Sequence, residues 1–250
     1  DTKWHKMPMR NVLPKPVQKP HPPLWVACSQ LETIEMAGRR GMGALGFQFL
    51  SADAAHAWVH AYYNAFVKRQ EKLADYQTNP NMALVSYFMC ARTDEEARRR
   101  ADGATFFQFA LRYYGASAGR KRPDPYTVNM WDEYNKWKYE NPDQAARALS
   151  GGLIGSPETL RRKLRRFQTS SIDQVILLNQ AGKNAHAHIC ESLELFAKEV
   201  MPEFHAAEPA HQAWKQRVLA GKIELEEIDT QPFRDRYGTN SPQVRPVAAE

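Results

Sequence analysis

A chain of 250 residues with 43% hydrophobic content can form one barrel or two small domains and bury a core. Its formal net charge of +6 is modest, and much of it sits in local runs, Arg98-Arg99-Arg100 and Arg161-Arg162-Lys163 with Arg165-Arg166, which read as solvated helix faces and not as a nucleic-acid surface. No apolar run approaches the roughly 18 to 20 residues of a membrane span, the polar, proline-rich Asp1–Pro23 does not read as a signal peptide, and Cys28, Cys90 and Cys190 lie far apart without metal-ligand spacing, as buried thiols of a reducing compartment. The expectation is a cytoplasmic protein with no metal, no membrane and no nucleic acid as partner.

Five prolines between Pro14 and Pro23 predict an extended lead-in. Leu24–Ala27 is a short apolar run fit for a buried parallel strand, Ser29–Gly38 opens as a helix, and Gly41-Met42-Gly43 turns into a second apolar run, Ala44–Leu50. This is the strand–helix–strand unit of a parallel α/β sheet. The joint Cys28-Ser29-Gln30 lies where a strand ends and a helix begins. Ser29 there is either an N-cap or, with the helix dipole and the unpaired backbone N–H groups, part of an anion site.

Ala54–Leu73 carries Trp58, Tyr62, Ala65 and Phe66 on one helical face, with Ser51 or Asp53 able to cap it. His56 and His60 are four apart, but no third ligand type is near, so a plain helix surface is expected. Met82–Ala91 (MALVSYFMCA) is a continuous buried strand. Thr93 and Glu96 form a capping box ahead of a helix to about Tyr114. The aromatics Phe106, Phe107, Phe109, Tyr113 and Tyr114 exceed one narrow stripe and serve either ordinary core or a pocket wall. Residues 115–150, with a short helix at Trp131–Tyr139, are long for a connection and read equally as a functional or mobile segment or as a structured surface excursion.

Gly151–Gly155 leads into Ser156-Pro157-Glu158, a helix start with Ser at the N-cap and Pro at N1. A glycine-rich approach to a helix N-terminus can hold a phosphate, but the Lys-Ser/Thr ending of a P-loop is absent. Ile172–Asn179 is the last strand, followed by a closing helix, Asn184–Phe204, with Ile189, Leu193, Phe196 and Val200 inward. Residues 206–250 read as an arm or tail, with a short helix within 209–221. The expected division is therefore 1–205, containing the insertion at 115–150, and 206–250.

The strings PKPVQKPHPPLWVACS, GMGAL, GGLIGSPETLRRKLRRF, IDQVILLNQAG and SLELFAKEVMPEF resemble the middle and C-terminal end of the luciferase-like flavin monooxygenases, across roughly Met7 to Phe204. The resemblance implies an α/β fold of the (β/α)8 TIM-barrel type, of which this chain covers about the last four β/α units. It implies that the loop after the fifth barrel strand, here Cys28, Ser29, Gln30 and the nearby Glu32, meets the flavin phosphate. It also implies reduced FMN delivered by a separate flavin reductase, with O₂ as co-substrate and one oxygen atom passing to a small apolar organic compound. Coenzyme F420 and hydride transfer are the alternative.

Phe47, Phe49 and Tyr87, with Trp131 of the insertion, are expected to shape the substrate pocket and its lid. The family's catalytic groups lie on strands that match no position here, so no catalytic residue is assigned. Either a homo-oligomer or a complementary barrel half is expected as partner, and a non-catalytic subunit of such an enzyme is a second reading. A hydrolase or metal enzyme is disfavoured, because the sequence holds no G-x-S-x-G, no H-E-x-x-H and no two-cysteine metal pair.

Overall fold

The computed structural model describes residues 3–4, 6–46, 52–68, 71–115, 126–150, 152–179 and 182–229. Five parallel strands form the sheet: β1 (Trp25–Cys28), β2 (Gly43–Gly46), β3 (Met82–Cys90), β4 (Leu153–Gly155) and β5 (Gln174–Leu178). β1 pairs β2 and β2 pairs β3. β3 then carries β5 along Ala83–Tyr87 and β4 along Phe88–Cys90. The helices are α1 (Leu31–Arg39), α2 (Ala52–Lys68), α3 (Asp94–Arg100), α4 (Asp102–Gly115), α5 (Met130–Glu140), α6 (Pro142–Ser150), α7 (Pro157–Gln168), α8 (His186–Glu199) and α9 (Met201–Leu219).

Strand side chains alternate between faces, so the register sorts them. One face carries Val26, Cys28, Ala44, Met82 and Leu84. It packs on α1 and α2 through Leu31, Ile34, Trp58, Val59, Tyr62 and Tyr63. Further up β3, Phe88 and Cys90 on the same face meet Leu160 and Leu164 of α7 and Phe196 of α8. The opposite face carries Ala27, Leu45, Ala83, Val85, Tyr87 and Ile176. At its upper end Tyr87 and Met89 lie under Ala97, Ala101 and Ala104 of α3 and α4. β3 is buried along its whole length, which is why its sequence is apolar without alternation.

α1 and α2 approach closely because Gly38 has no side chain. A Cβ there would stand 2.5 Å from the Tyr62 carbonyl oxygen. The proline-rich lead-in ends in a tie: the Gln77 N–H donates to His21 Nε2 (3.1 Å).

Four expectations change. The sequence reading has four strands, and β4 is a fifth. Gly152 at φ 61° turns the chain so that the Leu153 N–H donates to Ser86 Oγ (3.1 Å), and three residues then pair with the end of β3. The helix after Thr93 is two helices. Thr93 accepts from the Glu96 N–H as expected, but the helix stops at Ala101 and restarts at Asp102. The closing helix also divides. Pro202 stands in the first turn of α9, and α8 ends at Glu199 with Val200 bent to φ −115°.

Finally, α9 runs through position 206, so the anticipated boundary between 205 and 206 falls inside a helix. The chain to 229 is packed on the body. Lys215 and Val218 are buried, and Ile223, Leu225 and Ile228 lie against the α1/α2 core. The Glu226 carbonyl accepts from Asn64 Nδ2 (3.2 Å), and Lys68 pairs with Glu227. Among the described residues no helix is long and apolar enough to cross a membrane.

Candidate functional site

The C-terminal ends of parallel strands open towards the turns Cys28–Gln30 and Cys90–Thr93 and towards Asn179 after β5, where α/β sheets place their ligands. At the first turn the chain separates the residues that the sequence groups together. Cys28 belongs to the sheet face that packs on α1 and α2. It is fully buried, its thiol donates to the Val26 carbonyl (3.3 Å), and burial pushes its pKa up to about 11. Its side chain is core, so only its backbone faces the turn. Ser29 is exposed.

The N-cap of α1 is Gln30, not Ser29. Gln30 is extended (φ −135°, ψ 151°), its carbonyl accepts from Thr33 and Ile34, and its side chain makes no capping bond. Ser29 therefore stands one residue outside the helix. Glu32 lies exposed in the first turn, where its carboxylate complements the dipole.

The second glycine-preceded helix start, that of α7, is filled by the protein itself. Ser156 caps through Thr159 N–H (3.4 Å), and Asp94 from the first turn of α3 lays its carboxylate across the end. Asp94 accepts from the Ser156 N–H (2.6 Å) and from Thr159 Oγ1 (2.9 Å). These hydrogen bonds, led by the one from the Ser156 backbone, hold the Asp94 carboxyl below the usual carboxylate range. An external phosphate would meet a resident anion there.

Tyr87 and Trp131 reach the same helix. Tyr87, buried on β3, lies edge-on to Phe107 of α4 (ring centroids 6.2 Å), and Trp131 of α5 packs on Phe106 (5.0 Å). Tyr134 joins them, with its hydroxyl on Asp102, which also receives Lys138 Nζ (2.8 Å). Of the surplus aromatics of α4, Phe106 and Phe109 are thus spent on α5 and Phe107 on β3. This group is two strand spacings from the Ser29 turn, roughly 10 Å at the usual separation of neighbouring strands. Phe47 and Phe49 lie outside the described residues.

One polar cluster has no counterpart in the sequence reading, which sees no internal acid–base constellation. The Asp173 side chain, 3% exposed, accepts from Tyr63 Oη (2.7 Å), the Met82 N–H (2.7 Å) and His211 Nε2 (2.9 Å), and pairs with Lys215 Nζ (3.1 Å). Burial alone would raise its pKa. The His211 hydrogen bond, the Lys215 charge and the two further donors outweigh it and hold the carboxyl below its ordinary value. Lys215 also donates to Asn81 Oδ1.

The cluster sits at the N-terminal ends of β3 and β5, the end at which such sheets are braced, not where they bind. A half-open cleft of about 270 Å³ between α7 and α9 opens beside it. His211 and Lys215 are four apart on one helix face, a visible local signal. Nothing local joins them to positions 63, 81 and 173. The His56 and His60 rings lie against each other at a tilt (centroids 4.0 Å, 48° between planes), and among the described residues no group of three or more His, Cys, Asp or Glu could hold a metal ion.

The sheet and the helices packed on it define a parallel α/β protein. The profile of the luciferase-like monooxygenases matches residues 4–174. The chain belongs to the luciferase-like monooxygenase family. No curated protein matches the sequence. Among solved structures, DmoA from Hyphomicrobium sulfonivorans aligns at TM-score 0.50 and 15% identity, over 83% of this chain and 46% of its own. The FMN complex of the oxygenating constituent of 3,6-diketocamphane monooxygenase from Pseudomonas putida aligns at 0.48 and 19%, over 73% and 49%. The coenzyme F420-dependent tetrahydromethanopterin reductase from Methanopyrus kandleri aligns at 0.46 and 14%, over 73% and 51%. The chain spans about half the length of these structures.

Proposed function

We propose that this chain supplies the phosphate-holding side of the site of a flavin-dependent monooxygenase that acts on a small apolar organic substrate. The observation that carries the reading is the contrast between the two helix starts. α7 is closed by Ser156 and Asp94, whereas α1 begins at an extended Gln30 with no side-chain cap beside the exposed Ser29 hydroxyl. Backbone amides of the first turn of α1 and the Ser29 hydroxyl suit a phosphate monoester such as that of FMN. Glu32 suits hydroxyl donors of a ribityl chain, because a carboxylate only accepts.

When bound, reduced flavin supplies the electrons that let O₂ give one oxygen atom to the substrate and one to water. The chain's own part is to anchor, orient and keep water out. Trp131 and Phe106 on the α4–α5 pair act as the lid side of the pocket, and Tyr87 beneath them is its floor. A separate flavin reductase is the source of reduced FMN, and the cytoplasm is the compartment. Exposure of the second sheet face at its outer strands, with Ala27 of β1 exposed and Ile176 of β5 39% exposed, supports closure by further barrel strands from another copy or another polypeptide.

Anaerobic titration with reduced FMN, reduced riboflavin and reduced F420 tests the assignment. The reading predicts about ten-fold tighter binding of FMN than of riboflavin, the weight of one charge-assisted contact. Ser29→Ala should remove several-fold of that preference and leave riboflavin unchanged. Equal affinities for FMN and riboflavin would overturn the phosphate site, and tighter binding of F420 would move the reading to hydride transfer.

A further inference from the structure

The turn after β5 does more than connect. Gly182, Lys183 and Asn184 each hold the α4–α5 pair by a different contact. Gly182, at φ 66°, brings its backbone against α4 so closely that a Cβ would lie 2.7 Å from Gly103 Cα. Lys183 places its ammonium 4.7 Å from the centroid of the Trp131 ring. Asn184 bridges: its Oδ1 accepts from the Gly103 N–H (3.0 Å), and its Nδ2 donates to the Asn179 carbonyl at the end of β5 (2.8 Å).

The Gly103 amide is one of the first-turn donors of α4 that the helix itself leaves unsatisfied. Asn184, 81 positions away in the chain, thus caps α4 in place of a local residue. This also accounts for the break at Ala101, since a helix that continued unbroken from Thr93 would have committed that amide to its own ladder.

We propose that Gly182–Asn184 is the fastening that sets the aromatic lid against the strand ends, with Asn184 and Lys183 as positioning residues that act through Gly103 and Trp131. The inference rests on the reading of these strand ends as the flavin and substrate site. The fastening ties α4 and α5 to β5, one of the strands whose ends bear on that site. Loss of either contact frees the helix pair as a unit, while the backbone amides of β3 stay protected by their pairing with β2, β4 and β5.

Hydrogen–deuterium exchange on the full chain tests this without a ligand. Asn184→Ala and Lys183→Met should each speed exchange in 102–109 and 130–140 by about five- to ten-fold, the equivalent of one or two net hydrogen bonds. Exchange in 82–90 should stay as in the wild type. Asn184→Asp, which keeps the acceptor for Gly103, and Lys183→Arg, which keeps the cation over Trp131, should each restore most of the protection.

Unchanged exchange at 102–109 and 130–140, or a rise of equal size in 82–90, would overturn the fastening. Reduced FMN release from Asn184→Ala provides the second arm, where faster release with an unaltered preference over riboflavin is expected. A wild type that binds no flavin would sink the functional reading, and the exchange result would still decide the fastening.

Discussion

Asp173 is a single carboxylate that ties four elements together: α2 through Tyr63, β3 through the Met82 amide, and α9 through His211 and Lys215, all onto the start of β5. Removing its charge leaves Lys215 buried and unmatched. Asp173→Asn is therefore expected to cost about 3 kcal/mol or more, about 10 °C in Tm for a chain of this size. The sign of the pH dependence follows from the depressed carboxyl. Its contribution is fully present above the unfolded-state value of about 3.9 and is lost as pH falls through the folded value. Melting curves of wild type and Asp173→Asn should lie far apart at neutral pH, begin to approach each other only below about pH 4 and meet once the pH is under the depressed folded value. A constant gap would assign the effect to packing.

The cysteines behave oppositely to a reactive set. Burial drives Cys28 up to about 11 and, with the Glu199 charge, Cys90 up to about 12. An aromatic disulfide reagent at pH 8 should titrate only Cys190 in the folded protein and all three thiols in denaturant. Of these residue roles, the burial of Cys28 and Cys90 was legible from their apolar runs, whereas Cys190, expected to be buried as well, is only half-buried on α8. The Asp173 cluster was not, because its members come from positions 63, 173, 211 and 215 and meet only after the helices dock.

At the scale of elements, the readable signals are those in which cap and helix adjoin. Thr93 with Glu96 and Ser156 with Pro157 act as the sequence predicts. Ser29 does not cap, because the chain stays extended through Gln30 and the helix starts one residue later. The break between α3 and α4 escapes sequence reading for a related reason, as the group that restarts the helix is Asn184. β4 escapes it because three residues become a strand only by pairing with the far end of β3.

The close approach of α1 and α2 gives an element-scale prediction. Gly38→Ala places a methyl group 2.5 Å from the Tyr62 carbonyl, so the helices must part. A loss of about 1–3 kcal/mol is expected, read as a lower midpoint in urea with an unchanged m-value. No loss would mean that α1 shifts freely on the sheet and is not anchored by Leu31 and Ile34.

For the whole molecule, the parallel order β1-β2-β3 with β5 beyond was foreshadowed by strand runs separated by helices. The sequence could not show how unevenly the two faces are covered. One is sealed by α1, α2, α7 and α8. On the other, α3 and α4 cover Tyr87 and Met89 while Ala27 of β1 and Ile176 of β5 are exposed, and the β1 and β5 sides pair with no further strand among the described residues. Under the proposed function this sheet is one side of a barrel.

The account's central claim is that this side works as a flavin site only when the open face is closed by further strands. Light scattering on the purified chain tests that claim most directly. The account predicts a species of at least twice 28.6 kDa, or a monomer that takes up a complementary partner stoichiometrically. A monodisperse 28.6 kDa particle that binds reduced FMN unaided would contradict it.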